Sequence, residues 1–343
     1  MDDVDFFCKI LIGYCTGNFG CFIQERREKV LSPSSTEMVY LYRMNLGRRM
    51  IWGAFFMLSK YPKPLMINNI ELDYTKETFV MGILNVTPDS FSDGGKYNSL
   101  DAAIEHAKQM VQDGAKIIDV GGESTRPGYT RISDEEEIAR VVPVIKALRE
   151  EVPAIISIDT YKSAVARAAI EAGAHIINDI WGAKADPEMA KVASQYNVPI
   201  ILMHNREDAN YTNYFEDFLN DLKESIEIVK AAGVPDEHII LDPGIGFVKN
   251  LQQSIETMQR LDELVEWGYP VLLATSRKRL IGTILGLPLH ERVEGTAATC
   301  AYGVMKGCHI VRVHDVKEVA RTVKMMDALM GKFEVKGELP ERH

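Results

Sequence analysis

The sequence predicts an α/β fold, a (β/α)8 TIM barrel with an N-terminal hairpin and an additional N-terminal extension. Three observations carry this. About eight short runs rich in Val, Ile and Leu recur between residues 79 and 314, as expected of parallel strands covered on both faces. Amphipathic stretches with recognisable helix ends separate them, the order of repeated βα units. Each run then ends in polar text, where a barrel of this kind collects its working residues. Right-handed crossovers joining about eight units close into a barrel, and a doubly wound open sheet is the alternative.

The elements follow in chain order. Residues 1–64 hold three of the five cysteines and lack clean helical or strand periodicity; they carry a balance of +3, which leaves −13 for the rest. This extension reads as an upstream addition or mis-set start that contributes no chemistry, with a peripheral anchor or partner segment as the other reading. Its apolar run 6–14 follows acidic residues, the wrong charge for a signal peptide, and its run 50–58 resembles a short signal core too short to span a bilayer. Segments 65–70 and 72–74, around Asn68-Asn69, are expected to form a small hairpin plugging the barrel's N-terminal mouth. The barrel itself spans 65–331, leaving 332–343 as a tail. Its strands are expected at 79–86, 116–121, 155–159, 175–180, 198–204, 239–242, 270–275 and 309–314.

Helices between these strands have legible ends. Ser133 with Glu136 spells a capping box, followed by an apolar stripe of Ile138, Val142, Ile145 and Leu148. Asp186-Pro187 reads as N-cap and first helical residue. Gly114, Gly173, Gly233, Gly268 and Gly307 stand where helices stop. An internal echo supports a repeated unit: Gln112-Asp-Gly-Ala-Lys-Ile-Ile-Asp119 against Glu171-Ala-Gly-Ala-His-Ile-Ile-Asn178.

Composition narrows the function. With 343 residues, 46% hydrophobic and 26% charged, the chain is an ordinary globular protein. A formal charge of −10 argues against nucleic-acid or membrane partners, so any anion must be captured locally. The five cysteines lack metal- or redox-site spacing, which reads as a reducing cytoplasm.

The polar text after each strand is specific. Strand one runs into Asn85-Val-Thr-Pro-Asp-Ser-Phe-Ser-Asp-Gly-Gly95, and strand two into Gly121-Gly-Glu-Ser-Thr-Arg-Pro-Gly128. Strands three to five end in Ser157-Ile-Asp-Thr160, Asn178-Asp-Ile180 and Met203-His204-Asn205. The last three give Asp242-Pro-Gly-Ile-Gly-Phe247, Ser276-Arg-Lys278 and Arg312-Val-His-Asp315. Singly these are weak: Asp242-Pro is also a strand-ending turn, and Arg126, Arg277 and Lys278 are also ordinary loop charges. Gly244-Ile-Gly246 fails the dinucleotide pattern, because Lys249 stands where its third glycine belongs. Ser276 lacks a nucleophile-elbow sequence. His204, Glu123 and Asp179 read as supporting polar groups.

In order, however, these motifs resemble dihydropteroate synthases over residues 65–331. Pterin-dependent methyltransferases share only part of the pattern, without the texts at 85–95 and 276–278. The resemblance implies condensation of 6-hydroxymethyl-7,8-dihydropterin pyrophosphate with p-aminobenzoate, giving 7,8-dihydropteroate and pyrophosphate for folate biosynthesis. It implies a sulfonamide target, a homodimer through late helices, and Mg²⁺ at Asn85.

Residue by residue, the resemblance places Asp242, Asn178 and Asp159 on the pterin edge, Lys278 on its carbonyl, and Ile180 and Met203 against its faces. Asn85, Thr125, Arg126, Arg312 and His314 meet the pyrophosphate, while Thr125, Pro127, Phe247 and Lys278 line the aminobenzoate slot. Phe91 and Asp93 ride a mobile first loop. Asp159, Lys278, Arg126, Arg312 and His314 are the expected catalytic set. Two departures stand out: the family has glycine at Ala274, and serine at Arg279 beside the expected slot. Competing functions are corrinoid-linked methyl transfer from a methylated folate and pterin binding without turnover.

Overall fold

Every one of the eight apolar runs becomes a strand. The computed structural model describes residues 28–31, 38–46, 49–55, 62–86, 96–123 and 131–337, and the chain divides into two units, Met1–Lys60 and Tyr61–His343.

The first unit holds an antiparallel meander of β1 (Glu28–Leu31), β2 (Met38–Leu46) and β3 (Arg49–Phe55), paired from Glu28↔Leu41 through Leu46↔Arg49. The extension, which shows no strand periodicity, therefore contains regular structure, and much of the run at 50–58 is a paired strand. The run at 6–14 lies outside the described residues.

In the second unit, β4 (Leu65–Ile67) and β5 (Ile70–Leu72) make the expected hairpin. Asn68 and Asn69 turn the chain with φ of 49° and 61°, the pair of positive angles a two-residue type I′ turn demands. Eight parallel strands follow: β6 (Phe79–Asn85), β7 (Ile117–Gly121), β8 (Ile155–Asp159), β9 (Ile176–Asp179), β10 (Ile200–Met203), β11 (Ile239–Asp242), β12 (Leu272–Leu273) and β13 (Ile310–Val313). They pair in the order β11-β10-β9-β8-β7-β6-β13-β12, and a Leu241↔Val271 bridge joins the two ends. The sheet is closed, which removes the open-sheet alternative. The seam strand β12 is shorter than expected because the backbone turns at once, Lys278 N–H donating to Thr275 O.

Successive residues on each strand divide between two cores. Met81, Ile117, Ile155, Ile176, Ile201, Ile240, Leu272 and Ile310 fill the barrel with the hairpin's Leu65, Ile67, Leu72 and Tyr74. Their neighbours Ile118, Ile156, Ile177, Leu202, Leu241 and Val311 face outward to the helices. Both faces are therefore apolar, which is why the runs are continuous. Gly82 is required by one such outward contact, since a Cβ there would stand 2.4 Å from Met110 Sδ.

The helices are α1 (Lys96–Gln112), α2 (Asp134–Glu151), α3 (Ser163–Ala172), α4 (Met189–Tyr196), α5 (Tyr214–Ala231), α6 (Leu251–Gln259), α7 (Leu261–Val265), α8 (Arg279–Leu285), α9 (Val293–Met305) and α10 (Val316–Leu329). Ser133 Oγ accepts Glu136 N–H at the start of α2, but the Glu136 carboxylate turns to Arg140, so half of the capping box forms. The buried stripe of α2 is Val141, Val144, Ile145 and Leu148; Ile138 and Val142 are only partly buried at its flank. Asp186 accepts the N–H groups of both Glu188 and Ser163, holding the approach to α4 two residues before its N-cap, Glu188. A full capping box, Asn250 with Gln253, opens α6.

At the N-terminal face, buried Asp327 accepts from Thr78 N–H and Oγ–H, both at 2.7 Å, and pairs with Lys332 at 3.1 Å. Among the described residues, no helix is long and apolar enough to cross a membrane, and Cys300 and Cys308 are free, buried thiols.

Candidate active site

Polar groups concentrate at the opposite end, two positions beyond the inner apolar layer. Counting on from Ile117, Ile155, Ile176, Ile240 and Ile310 gives Asp119, Ser157, Asn178, Asp242 and Arg312, all on the inward phase of the strands. Asp159, a further two residues along β8, completes the set.

Arg312 ties this layer together. Its Nε donates to Asp119 Oδ2 at 2.6 Å and its Nη2 to Asp159 Oδ2 at 2.5 Å, while Asn178 Nδ2 donates to the same Asp119 oxygen at 2.9 Å. Burial works against the Arg312 charge, yet the flanking carboxylates outweigh it and hold the guanidinium protonated. Asp159 is raised above the ordinary carboxylate range, first by burial, against the pull of Arg312 and with the repulsion of Asp119. Asp119 Oδ1 and Asp159 Oδ1 are buried and take no hydrogen bond from the described residues. Oxygens so placed are costly unless a donor arrives.

Across the mouth, Asp242 Oδ1 accepts Gly244 N–H at 2.7 Å. Burial raises its pKa and Lys278 opposes the rise. Lys278 precedes α8 and sends its ammonium inward to Ile245 O, 4.7 Å from the Phe247 ring centroid. Burial depresses Lys278 to about 8, against the attraction of Asp242. Ile180 and Met203 join Tyr161, Trp181 and Phe247 in a separate apolar cluster. Ser276 Oγ lies 3.0 Å from His314 Nδ1 and accepts His314 backbone N–H at 3.1 Å, which anchors the ring by one edge. Asn85, partly exposed at the end of β6, sits beside Gly121, where a Cβ would lie 3.6 Å from Asn85 Oδ1 and 3.7 Å from Asp159 Cβ.

The fold thus gathers Asn85, Asp159, Asn178, Ile180, Met203, Asp242, Phe247, Lys278, Arg312 and His314 at one end of the barrel. Thr125, Arg126, Pro127, Phe91 and Asp93 lie outside the described residues. Glu123, just before that second gap, is held by Lys162 Nζ at 2.8 Å, by Tyr161 OH at 2.9 Å and by Ile132 N–H at 3.0 Å, a supporting role as expected. A cleft of about 720 Å³ opens alongside, but its cations are already paired: Lys162 with Glu123 and Glu137, Arg206 with Asp221.

Of the two departures, Ala274 lies in the barrel's inner core, and Arg279 is exposed at the first position of α8, directly after Lys278. One residue is missing from the expected set: Asp119. Its signal was the internal echo, which aligns Asp119 with Asn178 at the same inward position.

The family model for pterin-binding enzymes matches residues 81–314. A dihydropteroate synthase of Clostridium beijerinckii is 59% identical over 267 residues, covering 78% of this chain and 99% of that protein. A Clostridium difficile dihydropteroate synthase solved with pteroic acid superposes with a TM-score of 0.73 at 51% identity, over 75% of this chain and 98% of that one. A Yersinia pestis dihydropteroate synthase in complex with a sulfonamide drug gives 0.72 at 40%, over 78% and 99%.

Proposed function

The chain belongs to the pterin-binding enzymes as a dihydropteroate synthase, and from that premise we propose how its barrel mouth divides the reaction. It condenses 6-hydroxymethyl-7,8-dihydropterin pyrophosphate with p-aminobenzoate, a step of folate biosynthesis and the target of sulfonamides. The observation that carries the assignment of roles is the buried carboxylate layer, with orphan oxygens on Asp119 and Asp159 beside Asn178 and Asp242. The N–H-rich edge of an aminopyrimidinone satisfies such a layer, and an edge that offers only acceptors does not. Lys278 donates to the pterin carbonyl, and Ile180 and Met203 pack on the ring faces.

Over the reaction the carbon–oxygen bond to pyrophosphate breaks, the aryl nitrogen bonds to the exocyclic methylene, and the amine loses a proton. An aryl amine is already unprotonated at neutral pH, so catalysis rests on charge and orientation. Asp159 faces the positive character building at the methylene. Arg312, His314, Arg126 and Thr125 receive the pyrophosphate, Arg forks suiting phosphate oxygens. Phe247 and Lys278 flank the aminobenzoate, a role the family resemblance also assigns to Thr125 and Pro127, and it assigns Phe91 and Asp93 to the first loop.

Among the described residues, no group of three or more His, Cys, Asp or Glu side chains is placed to hold a metal ion. A single amide oxygen at Asn85 fits Mg²⁺, which keeps water and phosphate as its other ligands. When bound, the ion neutralises charge on the leaving pyrophosphate.

For assembly, the packed pair α9 and α10 exposes Tyr302, Met305, Met325 and Leu329, and this apolar surface supports a homodimer there. A cytoplasmic location accords with the unpaired Cys300 and Cys308. The test is product formation: dihydropteroate and pyrophosphate should appear only when Mg²⁺, aminobenzoate and the pterin pyrophosphate are all present. A folded chain that yields neither product overturns the reading, and sedimentation as a monomer overturns the dimer.

A further inference from the structure

Buried beneath the loop that follows β11 is a lysine that the reaction does not touch. Lys249 Nζ lies 2.7 Å from His204 Nδ1 and donates to Gly244 O at 3.0 Å and Phe247 O at 3.2 Å. Burial pulls the Lys249 pKa well below the ordinary lysine value, against the attraction of Asp242, while the three acceptors around Nζ match the three N–H donors of an ammonium. His204 supports this use of it: its Nε2 lies 3.0 Å from Asp221 Oδ2, so a neutral ring donating there presents Nδ1 as an acceptor to the lysine.

The loop so held is not relaxed. Gly244, Gly246 and Val248 have φ of 64°, 84° and 41°, three left-handed residues in five, one of them β-branched. A Cβ on Gly244 would lie 2.2 Å from His204 O. Such a conformation persists where its surroundings over-determine it, and the Lys249 ammonium binds the first turn and the far end at once, with Tyr211 OH on Val248 O at 3.0 Å. Between those points the loop presents Ile245 O, which receives Lys278, and the Phe247 ring beside it.

We propose that Lys249 is a positioning residue for the aminobenzoate side of the site: its ammonium holds the strained loop so that Ile245 O and Phe247 set the place of Lys278. This rests on the synthase reading above. It requires that loss of the ammonium displace the wall met by aminobenzoate more than the carboxylate layer, in which Asp119, Asp159 and Asn178 stand on β7, β8 and β9 and Asp242 alone touches the loop, through Gly244 N–H.

The experiment compares wild type with Lys249→Met and Lys249→Gln, measuring KM for aminobenzoate, kcat, and the dissociation constant of the pterin pyrophosphate without aminobenzoate. Wild-type turnover checks the synthase reading by itself. For Lys249→Met we expect KM for aminobenzoate to rise about tenfold or more, with pterin affinity changed less than about threefold. Lys249→Gln, which keeps two N–H donors, should recover part of the loss. Unchanged KM in a folded variant, or parallel loss of both affinities, overturns the proposal. If Lys249→Met does not fold, Lys249→Gln decides by the same two constants.

Discussion

Arg312 Nε and Asn178 Nδ2 converge on a single oxygen of Asp119, at 2.6 and 2.9 Å. The other oxygen of Asp119 and one of Asp159 take no hydrogen bond from the described residues, while the two carboxylates share the guanidinium. Asp119→Asn keeps the shape and removes the charge. Charged hydrogen bonds contribute about 1.5–3 kcal/mol, so kcat/KM should fall about 10- to 100-fold. Asp119 also raises the pKa of Asp159, so the acidic limb of the pH profile should move to lower pH in the variant. Steady-state pyrophosphate release across pH measures both; a profile superimposable on wild type would sink the assignment.

Lys278 ties activity to pH on the alkaline side. Its pKa is pushed down to about 8 by burial, and it acts as a donor only when protonated. The kcat/KM profile of the free enzyme should therefore decline as pH rises through about 8, and the residual activity of Lys278→Met should lack that decline. The same shift bears on folding. The unfolded chain holds this proton more tightly, so the group penalises folding at pH 7, and the penalty shrinks between about 8 and the ordinary lysine value of 10.5. Lys278→Met should lose activity yet melt no lower than wild type at neutral pH, read by calorimetry.

Asp327 offers a contrast at the far end of the barrel. Asp327→Asn removes the ion pair of Lys332, which keeps its hydrogen bond to Thr78 Oγ1, and weakens two bonds to Thr78. A loss of about 2 kcal/mol, or roughly 5 °C in melting temperature, is expected. Turnover at 25 °C should stay within about twofold of wild type. A large kinetic effect without thermal change would contradict this division of labour.

Removing residues 1–60 should leave the barrel and its turnover intact. The hairpin that fills the barrel floor begins at Leu65, and the inner core is composed of residues from there onward. Circular dichroism and product formation on a chain starting at residue 61 provide the check; loss of folding would show that the first unit is required.

How much of this was legible follows from the residues. All eight strands were readable because outward neighbours such as Ile118 and Ile156 are as apolar as inward Ile117 and Ile155. The hairpin was readable because Asn-Asn suits two positive φ angles. β2 was not, because its apolar residues at 38–42 are consecutive, and a short continuous run does not distinguish strand from helix. Asp119 was hidden for a related reason: one acid within an apolar strand reads as strand interior until the barrel closes and Arg312 arrives from 193 positions away. Lys249 could be read only as a broken glycine pattern, since its three acceptors come from two strand ends.

Along β7, β8, β9, β11 and β13 the residue in the inner core and the residue facing the mouth are only two positions, roughly 7 Å, apart. Two levels of one scaffold are thus inherited through different codons. A lineage can rewrite what its barrel recognises at one level while the level beneath carries foldability forward, and the route by which drug tolerance evolves need not pass through loss of the fold.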